Sequence, residues 1–470
     1  MRTHVERERK YELPLNAELP SLAGIAESVG PREETLSAVY YDTVDLRLAR
    51  TGTTLRRRTG GDDAGWHLKV VRGPDTRDEV QLPLSDSVPA ELEALVLGHT
   101  RGGPLVPVAR IVTSRSRWFL RDSGGAALAE LTDDHVEASR LTGSGSDSWR
   151  EVEVELDEGA DDALFDRLRK TGLRQAAHGS KLARVLAVPA PAGGKSAGHA
   201  LGAYLRDQVD TLVRHDLLAR RDAQDAVHQL RVASRRLRSV LRVYRRLLDR
   251  SVTDPLREEL KWLGRRLSPA RDLEVLEARL GDAVSALPAE LVIGPVQARL
   301  TRHFAPARAA AQKSVLRTLR AKRYLRLLDT LDRLVTDPPL RGRASRRAAK
   351  ELPRHLRRAH RKVSRRVSVA DEDASLLHSA RKAAKQLRYG AEVAEPVLGK
   401  RLRRRAKAMT KVLGELQDSV VARPTIRELG MTAHLAGENG FTYGLLHAHE
   451  QQVATDAVHQ FTVDTWPRLA

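Results

Sequence analysis

A run of charged residues near the start of the chain, Glu6-Arg7-Glu8-Arg9-Lys10, strongly limits the local fold. Successive side chains of a β-strand point to opposite faces, so Glu6, Glu8 and Lys10 would share one face. The segment Glu151-Val152-Glu153-Val154-Glu155-Leu156 repeats the alternation, with acidic residues on one face and apolar residues on the other. The period of two predicts strands whose carboxylates converge on one polar cavity.

Basic residues with the same two-residue spacing lie between these acidic segments. They are Arg56 with Arg58, Lys69, Arg77 (followed by Glu79), and Arg115 with Arg117. Arginine presents a planar fork of donors that suits phosphate oxygens, and lysine presents a compact charge. Acids and bases that share a cavity could hold a divalent cation together with a phosphate chain. A solvated edge strand explains the first five charged residues equally well, so the recurrence of the pattern decides in favour of the cavity.

The first 190 or so residues resemble a CYTH domain of the triphosphate tunnel metalloenzyme family. The matching blocks, in chain order, are the ExExK motif of Glu6, Glu8 and Lys10; Tyr40-Tyr41-Asp42-Thr43; Leu55-Arg56-Arg57-Arg58; Gly65-Trp66-His67-Leu68-Lys69; Leu128-Ala129-Glu130-Leu131 with Asp134; the Glu151 to Glu155 run; and Ser180-Lys181. The chain departs from the family at Arg115-Ser116-Arg117, where adjacent arginines are usual.

This resemblance implies an antiparallel β-barrel tunnel that hydrolyses a triphosphate with Mg²⁺ or Mn²⁺. The implied metal ligands are Glu6, Glu8, Glu130, Asp134, Glu153 and Glu155, with Glu151 as a further candidate. The implied catalytic residues are Lys10, Glu8 and Glu153. The implied substrate-binding residues are Arg56, Arg58, Lys69, Arg77, Arg115, Arg117 and Lys181.

Length and composition predict two domains in a reducing compartment. A chain of 470 residues exceeds the size at which single cores stop growing. Because the chain has no cysteine, it has neither disulfides nor thiolate metal sites, and a cytoplasmic location is expected. It shows no apolar leader at its start and no run of 18 apolar residues, so we expect no secretion signal and no membrane span.

Positive charge is concentrated in the C-terminal part. Residues 1–195 contain 27 Lys and Arg against 31 Asp and Glu, whereas residues 196–470 contain 54 against 30. Such an excess predicts a polyanionic partner: nucleic acid, an acidic membrane surface or inorganic polyphosphate.

A Pro- and Gly-rich segment predicts the boundary between the two parts. It follows a strand-like stretch, Leu182 to Val188, and places a linker at 191–198 between domains 1–190 and 199–470. Beyond it the apolar spacing is helical almost to the end, with interruptions expected at Pro255, Pro269, Pro288, Pro338-Pro339 and Pro353.

An internal repeat marks the helical part. His228, Arg231, Arg235 and Arg238 recur as His378, Arg381, Lys385 and Arg388 at a constant offset of 150. The spacing i, i+3, i+7, i+10 forms one stripe along a helix. The first stripe extends to Arg242 and Arg245, whereas Glu392 ends the second. A solvated face is the alternative interpretation, although acids are absent from 231–246 and unneutralised like charges repel.

Residues 199–470 resemble a CHAD domain, the conserved-histidine helical module often fused to CYTH. The matching segments are 226–238, 268–276 and 378–389. The resemblance implies two pseudo-symmetric four-helix bundles whose basic faces form a groove for inorganic polyphosphate. The implied binding residues are His228, Arg231, Arg235, Arg238, Arg242, His378, Arg381, Lys385 and Arg388. If protonated histidines contact phosphate, binding should tighten below about pH 6.5.

The sequence thus predicts an α+β multidomain protein, a β-barrel tunnel followed by an all-α domain. We expect hydrolysis of inorganic triphosphate, with thiamine triphosphatase or adenylate cyclase activity, or a purely polyphosphate-targeting role, as alternatives. Specific nucleic-acid binding is not expected, because only 4% of residues are aromatic and no zinc-finger or RNP-like motif is present. Polyphosphate granules are a candidate location within the cytoplasm.

Overall fold

A computed structural model describes residues 2–73, 75–187, 193–372 and 377–462, with the side chains of 370–372 left out. The chain divides into two compact units, residues 1–190 and 191–470. Within the predicted linker, residues 191 and 192 lie outside the described residues. The first helix of the second unit begins at Ala197, two residues before the predicted start of the helical domain.

The first unit is an antiparallel β-barrel. Its strands are β1 (Arg2–Leu13), β2 (Glu27–Asp42), β3 (Thr54–Thr59), β4 (Gly65–Val71), β5 (Thr76–Leu82), β6 (Val106–Arg121), β7 (Ala127–Arg140), β8 (Ser146–Leu156) and β9 (Arg174–Gln175). Its helices are α1 (Arg47–Arg50), α2 (Ala90–Thr100), α3 (Ala163–Arg169) and α4 (Lys181–Leu186). Eight strands follow the order β5-β4-β3-β2-β6-β7-β8-β1, and the pairing of β1 with β5 closes the barrel. The predicted barrel is confirmed.

Alternating side chains separate the barrel's charged interior from its apolar layers. On one face of β8, Val152, Val154 and Leu156 form a core cluster with Leu164 and Phe165 of α3. The intervening residues of β8 carry the carboxylates. The tight β3–β4 connection needs glycine, because Gly60 has φ +82° and a Cβ there would lie 2.2 Å from the carbonyl oxygen of residue 35.

One end of the barrel is filled by α4, not by a strand. The predicted strand from Leu182 is wrong for its described part, since α4 covers Lys181–Leu186 and Val188 lies outside the described residues. The backbone N–H of Ala183 donates to Ser180 Oγ at 3.1 Å, which caps the helix. Leu182, Val185 and Leu186 share one apolar cluster with side chains of β2, β6, β7 and β8. Burial at i, i+3 and i+4 therefore overrides the strand-like composition.

The second unit is helical. Its α-helices are α5 (Ala197–Arg220), α6 (Ala226–Val243), α7 (Arg250–Ser285), α8 (Val296–Arg320), α9 (Lys322–Thr336), α10 (Ala348–Glu372), α11 (Leu377–Leu398), α12 (Arg401–Leu435) and α13 (Phe441–Gln460). In its described part, no helix combines the length and apolar character needed to cross a membrane.

Four helices of the second unit recur in order. The helices α5, α6 and α7 begin at 197, 226 and 250, and α10, α11 and α12 begin at 348, 377 and 401. The following helices α8 and α13 complete the two sets, and α9 connects them. Within each set consecutive helices pack together, and α6 packs on α11 between the sets. The duplication predicted from the 150-residue offset is confirmed.

Three predicted interruptions are wrong, because Pro255 and Pro269 lie inside α7 and Pro353 lies inside α10. A proline removes one backbone hydrogen bond from a helix. In α7, buried residues such as Leu256 after Pro255 and Leu267 before Pro269 keep one face of the helix in the core. Tertiary packing outweighs the missing hydrogen bonds. Pro288 and Pro338-Pro339 do lie between helices.

Candidate functional site

The barrel encloses a highly charged cavity of about 330 Å³. Its lining contains eight carboxylates, from Glu6, Glu8, Asp62, Asp63, Glu79, Glu130, Glu153 and Glu155. It also contains eight lysine and arginine side chains, from Lys10, Arg56, Arg58, Lys69, Arg77, Arg115, Arg117 and Lys181. Every predicted tunnel residue except Asp134 and the further candidate Glu151 therefore lines one cavity, which we call the tunnel.

Three carboxylates occupy directly opposed positions on adjacent strands. Glu8 of β1 is paired with Glu155 of β8, and Glu155 is paired with Glu130 of β7. Directly opposed residues have Cβ atoms about 5 Å apart, so like charges there repel. We call Glu8, Glu155 and Glu130 the acidic row.

The acidic row meets a second acidic group near the start of β1. Oxygen or nitrogen atoms of His4, Glu6 and Glu155 lie within 4.8 Å of one another. Lys69 Nζ lies 2.7 and 2.8 Å from the two oxygens of Glu6. His4 Nε2 lies 3.2 Å from Glu6 Oε1 and 3.1 Å from Glu79 Oε2. Hydrogen bonds to these two carboxylates raise the pKa of His4 to about 10, so His4 is a cation at neutral pH.

Lys10 connects the acidic row to the interior. Its ammonium group forms an ion pair with Glu153 and lies 3.3 Å from Glu8 Oε2. Glu8 also forms an ion pair with Arg77, with 2.9 Å between Nη1 and Oε1. Although burial opposes ionisation, Lys10, Lys69 and Arg77 hold the pKa of the Glu8 carboxyl below its usual value. Glu8 is therefore ionised and available to a cation.

The innermost acids are already neutralised by protein cations. Lys181 Nζ lies 2.8 Å from Asp134, 2.7 Å from Glu151 and 2.7 Å from Glu153. Arg115 makes two further contacts of 2.7 Å with the two oxygens of Asp134. Asp134 is fully buried, and its carboxylate contacts both Arg115 and Lys181. Oxygen atoms of Asp134, Glu151 and Glu153 lie within 4.8 Å of one another.

A hard divalent cation fits the outer acids. In the described residues no basic side chain forms an ion pair with Glu155. Burial, followed by the neighbouring charge of Glu6, raises the pKa of Glu155 to about 7. Such crowding of carboxylates without a full set of counter-charges calls for a cation. Oxygen ligands are those that Mg²⁺ and Mn²⁺ prefer. Glu6, Glu8 and Glu155, with Glu130 beside them, are the residues that could hold it.

Crowded arginines face these acids across the tunnel. Burial, followed by the charges of Arg56 and Arg115, lowers the pKa of Arg58 to about 9. Asp63 forms an ion pair with Arg58, and Arg56 Nη1 donates to Tyr40 Oη at 3.3 Å. Repelling cations of this kind favour an anionic ligand such as a phosphate chain.

A second candidate site lies in the helical unit, where two neighbouring cavities measure about 510 and 620 Å³. They share Arg231, Arg235 and Lys385 as lining residues, and together we call them the groove. Both His228 and His378 line the smaller cavity with Arg381. Arg238 and Arg242 line the larger one. The two predicted stripes therefore meet across the packing of α6 on α11.

Protonation in the groove differs from the expectation based on free histidine. Burial, followed by the charge of Arg271, lowers the pKa of His228 to about 4, so His228 is neutral at physiological pH. His378 Nδ1 lies 2.8 Å from Gln417 Oε1. Burial and the charges of Arg235 and Arg381 lower the pKa of Lys385 to about 7. Lys385 therefore titrates near neutral pH in the free groove, whereas His228 does not.

Family comparisons match both units. Residues 4–185 match the family model of the CYTH domain, and residues 203–427 match that of the CHAD domain. The chain belongs to the CYTH–CHAD family. It is 38% identical over 484 residues to uncharacterized protein MT2285 (strain CDC 1551 / Oshkosh) and to uncharacterized protein Rv2226 (strain ATCC 25618 / H37Rv), both of Mycobacterium tuberculosis. Each alignment covers 96% of this chain and 94% of the relative.

Among solved structures, PptA from Streptomyces chartreusis is similar to part of the chain. The identity is 23%, the TM-score is 0.49, and the match covers 58% of this chain and all of the other.

The charged tunnel residues that sequence reasoning missed include His4, Asp62 and Asp63. Sequence reasoning named Tyr40 and Glu79 within motifs but assigned neither to the site. His4 and Glu79 continue the two-residue spacing of Glu6 and Arg77, so the alternation contained the signal. Asp63 lies in the loop after Gly60, where no periodicity applies.

One residue predicted to bind polyphosphate does not line the CHAD groove. Arg388 is not among the described residues that line the two cavities. Instead, its Nε lies 3.5 Å from Glu392 Oε1. The residues that sequence reasoning missed include Arg257, Lys261 and Arg265 of α7, which line the larger cavity.

Proposed function

We propose that the CYTH domain hydrolyses inorganic triphosphate with Mg²⁺ or Mn²⁺ and that the CHAD domain binds inorganic polyphosphate. The observation that carries the first half is the tunnel's composition, eight carboxylates and eight lysine and arginine side chains around about 330 Å³. A metal-bound triphosphate combines both charges in one ligand, so it complements both kinds of lining residue.

The lining favours an inorganic substrate. Among the described lining residues, Tyr40 is the sole phenyl-type ring, and no Leu, Ile, Val, Phe or Trp is present. An adenine or thiamine ring would need apolar or aromatic surface, which ligand pockets normally supply. Thiamine triphosphate and ATP are therefore weaker candidates than inorganic triphosphate.

The chain's own residues would act by positioning and by charge. Arg56, Arg58 and Arg117 would bind phosphate oxygens, with Asp63 and Glu34 released from Arg58 and Arg117 as the phosphates enter. The acidic row would hold the cation, which when bound supplies charge neutralisation and activates water. Lys10, fixed between Glu8 and Glu153, would stabilise negative charge on the transferred phosphoryl group.

Phosphate release by the full-length protein tests this proposal. Inorganic triphosphate, thiamine triphosphate, ATP and long-chain polyphosphate would each be offered with Mg²⁺, with Mn²⁺ and with EDTA. We expect metal-dependent release that is fastest from inorganic triphosphate. Cyclic AMP from ATP would support cyclase activity instead, and no turnover of any substrate would favour a targeting role.

The groove supports polyphosphate binding because its cations outnumber their local partners. Arg231 has Asp272 at 3.3 Å and Arg381 has Asp418 only at 4.0 Å. Arg235 donates to the neutral Tyr389 hydroxyl at 3.0 Å. A flexible phosphate chain could follow such a groove without base stacking, and the described lining residues include no Phe, Tyr or Trp on which bases would stack. Competition between long-chain polyphosphate and duplex DNA would test this, with stronger binding of polyphosphate expected at equal phosphate concentration.

A further inference from the structure

The internal symmetry of the CHAD domain is broken at the end of the groove. Adding 150 to Arg242 gives Glu392, and adding 150 to Arg246 gives Pro396. Glu392 lies 3.3 Å from Arg236 and accepts from the Tyr204 hydroxyl at 2.7 Å. The second copy therefore ends in a carboxylate that neutralises its neighbours. The first copy ends in Arg242 and Arg246, which are exposed and form no ion pair within the described residues.

A second, independent difference adds charge to the same end. On α10, Arg358, Arg361 and Arg365 follow one another at i, i+3 and i+7, which places them on one helix face. Their counterparts on α5 are Gln208, Thr211 and His215. The excess of bases on α10 is therefore not a property of the repeated fold but of this copy alone.

These α10 arginines lack counter-charges. All three are exposed, and within the described part of the chain none of them forms an ion pair. Together with Ser364 and Ser368 they line an open depression of about 630 Å³. We call this set of five residues the α10 platform. The hydroxyls of Ser364 and Ser368 donate to backbone carbonyls of α10, at 3.4 and 3.1 Å. The three unpaired arginines are therefore the donors that this surface offers to phosphate oxygens.

The platform adjoins the end of the groove. Lys362 of α10 donates to Gln386 Oε1 at 3.1 Å, and Gln386 lines the larger groove cavity. Burial and the nearby charges of Arg242, Arg366 and Arg257 lower the pKa of Lys362. Burial and the charge of Arg246 likewise lower the pKa of Arg358. Lys362 thus connects the groove bases with those of α10.

We propose that the α10 platform binds the part of a long inorganic polyphosphate chain that leaves the groove, so that the chain exits over α10 and not past Glu392. This proposal rests on polyphosphate binding in the groove. From His228 to Arg242 the α6 stripe spans about 21 Å at 1.5 Å per residue, and the platform adds about 10 Å from Arg358 to Arg365. Chains longer than the groove alone would gain contacts on the platform.

Polyphosphate affinity at two chain lengths tests the proposal in the full-length protein. One polyphosphate has an extended length below 21 Å, and the other is at least twice as long. The variant Arg361→Glu/Arg365→Glu alters the platform. The variant Arg302→Glu/Lys313→Glu makes the same charge change on exposed residues of α8. The variant Arg361→Gln/Arg365→Gln removes the positive charges without adding negative ones and is less disruptive to the fold. Thermal unfolding shows whether each variant is folded.

We expect the platform variant to bind the long chain about tenfold or more weakly at low salt and the short chain nearly as wild type does. The glutamine variant should show a smaller loss in the same direction, and the α8 control should change little. Equal effects of the platform and control variants, or an equal loss for both chain lengths, would overturn the proposal while leaving groove binding intact. Failure of the wild type to bind either chain would overturn groove binding itself. Loss of duplex DNA binding with unchanged long-chain affinity would identify a nucleic-acid site and also overturn the proposal.

Discussion

Replacing Glu155 by glutamine should stabilise the metal-free CYTH domain and abolish its activity. Glu155 has a pKa raised from 4.5 to about 7, because it is buried and lies beside Glu6 and Glu8. Below pH 4.5 the folded and unfolded states both carry the protonated acid, so no penalty arises. As pH rises through 7 the folded state must ionise against this environment, which costs at most about 3 kcal/mol. The glutamine substitution removes that cost at pH 8 and changes the free energy of unfolding little at pH 4.5.

Calorimetric unfolding of the full-length protein at pH 5 and pH 8, in EDTA and in Mg²⁺, measures this effect. In EDTA at pH 8 the Tm of the first unit should be higher in Glu155→Gln than in the wild type. The expected rise is roughly 2–4 °C for each kcal/mol of added stability. In Mg²⁺ the wild type should gain stability by mass action, and the variant should gain less. Glu137→Gln, an exposed change on neighbouring β7, is the matched control and should shift neither transition.

Lower stability of metal-free Glu155→Gln at pH 8 would show that Glu155 has a stabilising partner. Equal Mg²⁺ stabilisation of variant and wild type would remove Glu155 from the metal site.

Three further variants test the other charged networks. In the wild type, polyphosphate affinity should fall from pH 6 to pH 8.5, because Lys385, with a pKa of about 7, must take up a proton to bind the anion. Lys385→Met should remove most of this pH dependence, and an unchanged pH profile would show that Lys385 does not bind the anion. Arg231→Glu and Arg381→Glu should each weaken polyphosphate binding by about 2 kcal/mol, or roughly 30-fold, with smaller losses at high salt, and a similar loss in the exposed control Arg341→Glu would favour a merely solvated basic face. Lys181→Met should lower the free energy of unfolding in urea by about 3–5 kcal/mol at pH 7, since Asp134, Glu151 and Glu153 lose their shared cation; a change below 1 kcal/mol would mean that Arg115 and Lys10 suffice.

The two-residue spacing of charged residues predicted the barrel, because that spacing places their side chains on one face of each strand. Glu8, Glu153 and Glu155 were identified together for this reason, and the register Glu8–Glu155–Glu130 confirms their proximity. Spacing does not show depth, so it did not reveal that Asp134 is fully buried. The sequence cannot reveal that Lys181 reaches Asp134 from a helix nearly fifty residues later, since that contact depends on how α4 packs into the barrel end.

Repeats were equally informative in the helical unit. An offset of 150 identified His228 and His378 as equivalent, and they line one cavity. Spacing did not show that burial and Arg271 lower the pKa of His228 to about 4. Sequence reasoning also overestimated the tendency of proline to end a helix. Pro269 lies within α7, because the packing of the whole helix keeps the helix continuous.

The most direct test of the proposed tunnel chemistry compares phosphate release from inorganic triphosphate by the wild type, Glu8→Gln and Glu12→Gln, with Mg²⁺ and with Mn²⁺. Glu12 lies on the same strand as Glu8 but is exposed, so it controls for the loss of one carboxylate. We predict that Glu8→Gln retains its fold and loses at least about a hundredfold in rate, since an acid of the metal site becomes neutral. Glu12→Gln should retain the wild-type rate. Wild-type turnover in a folded Glu8→Gln protein would contradict the assignment of the acidic row as the metal site.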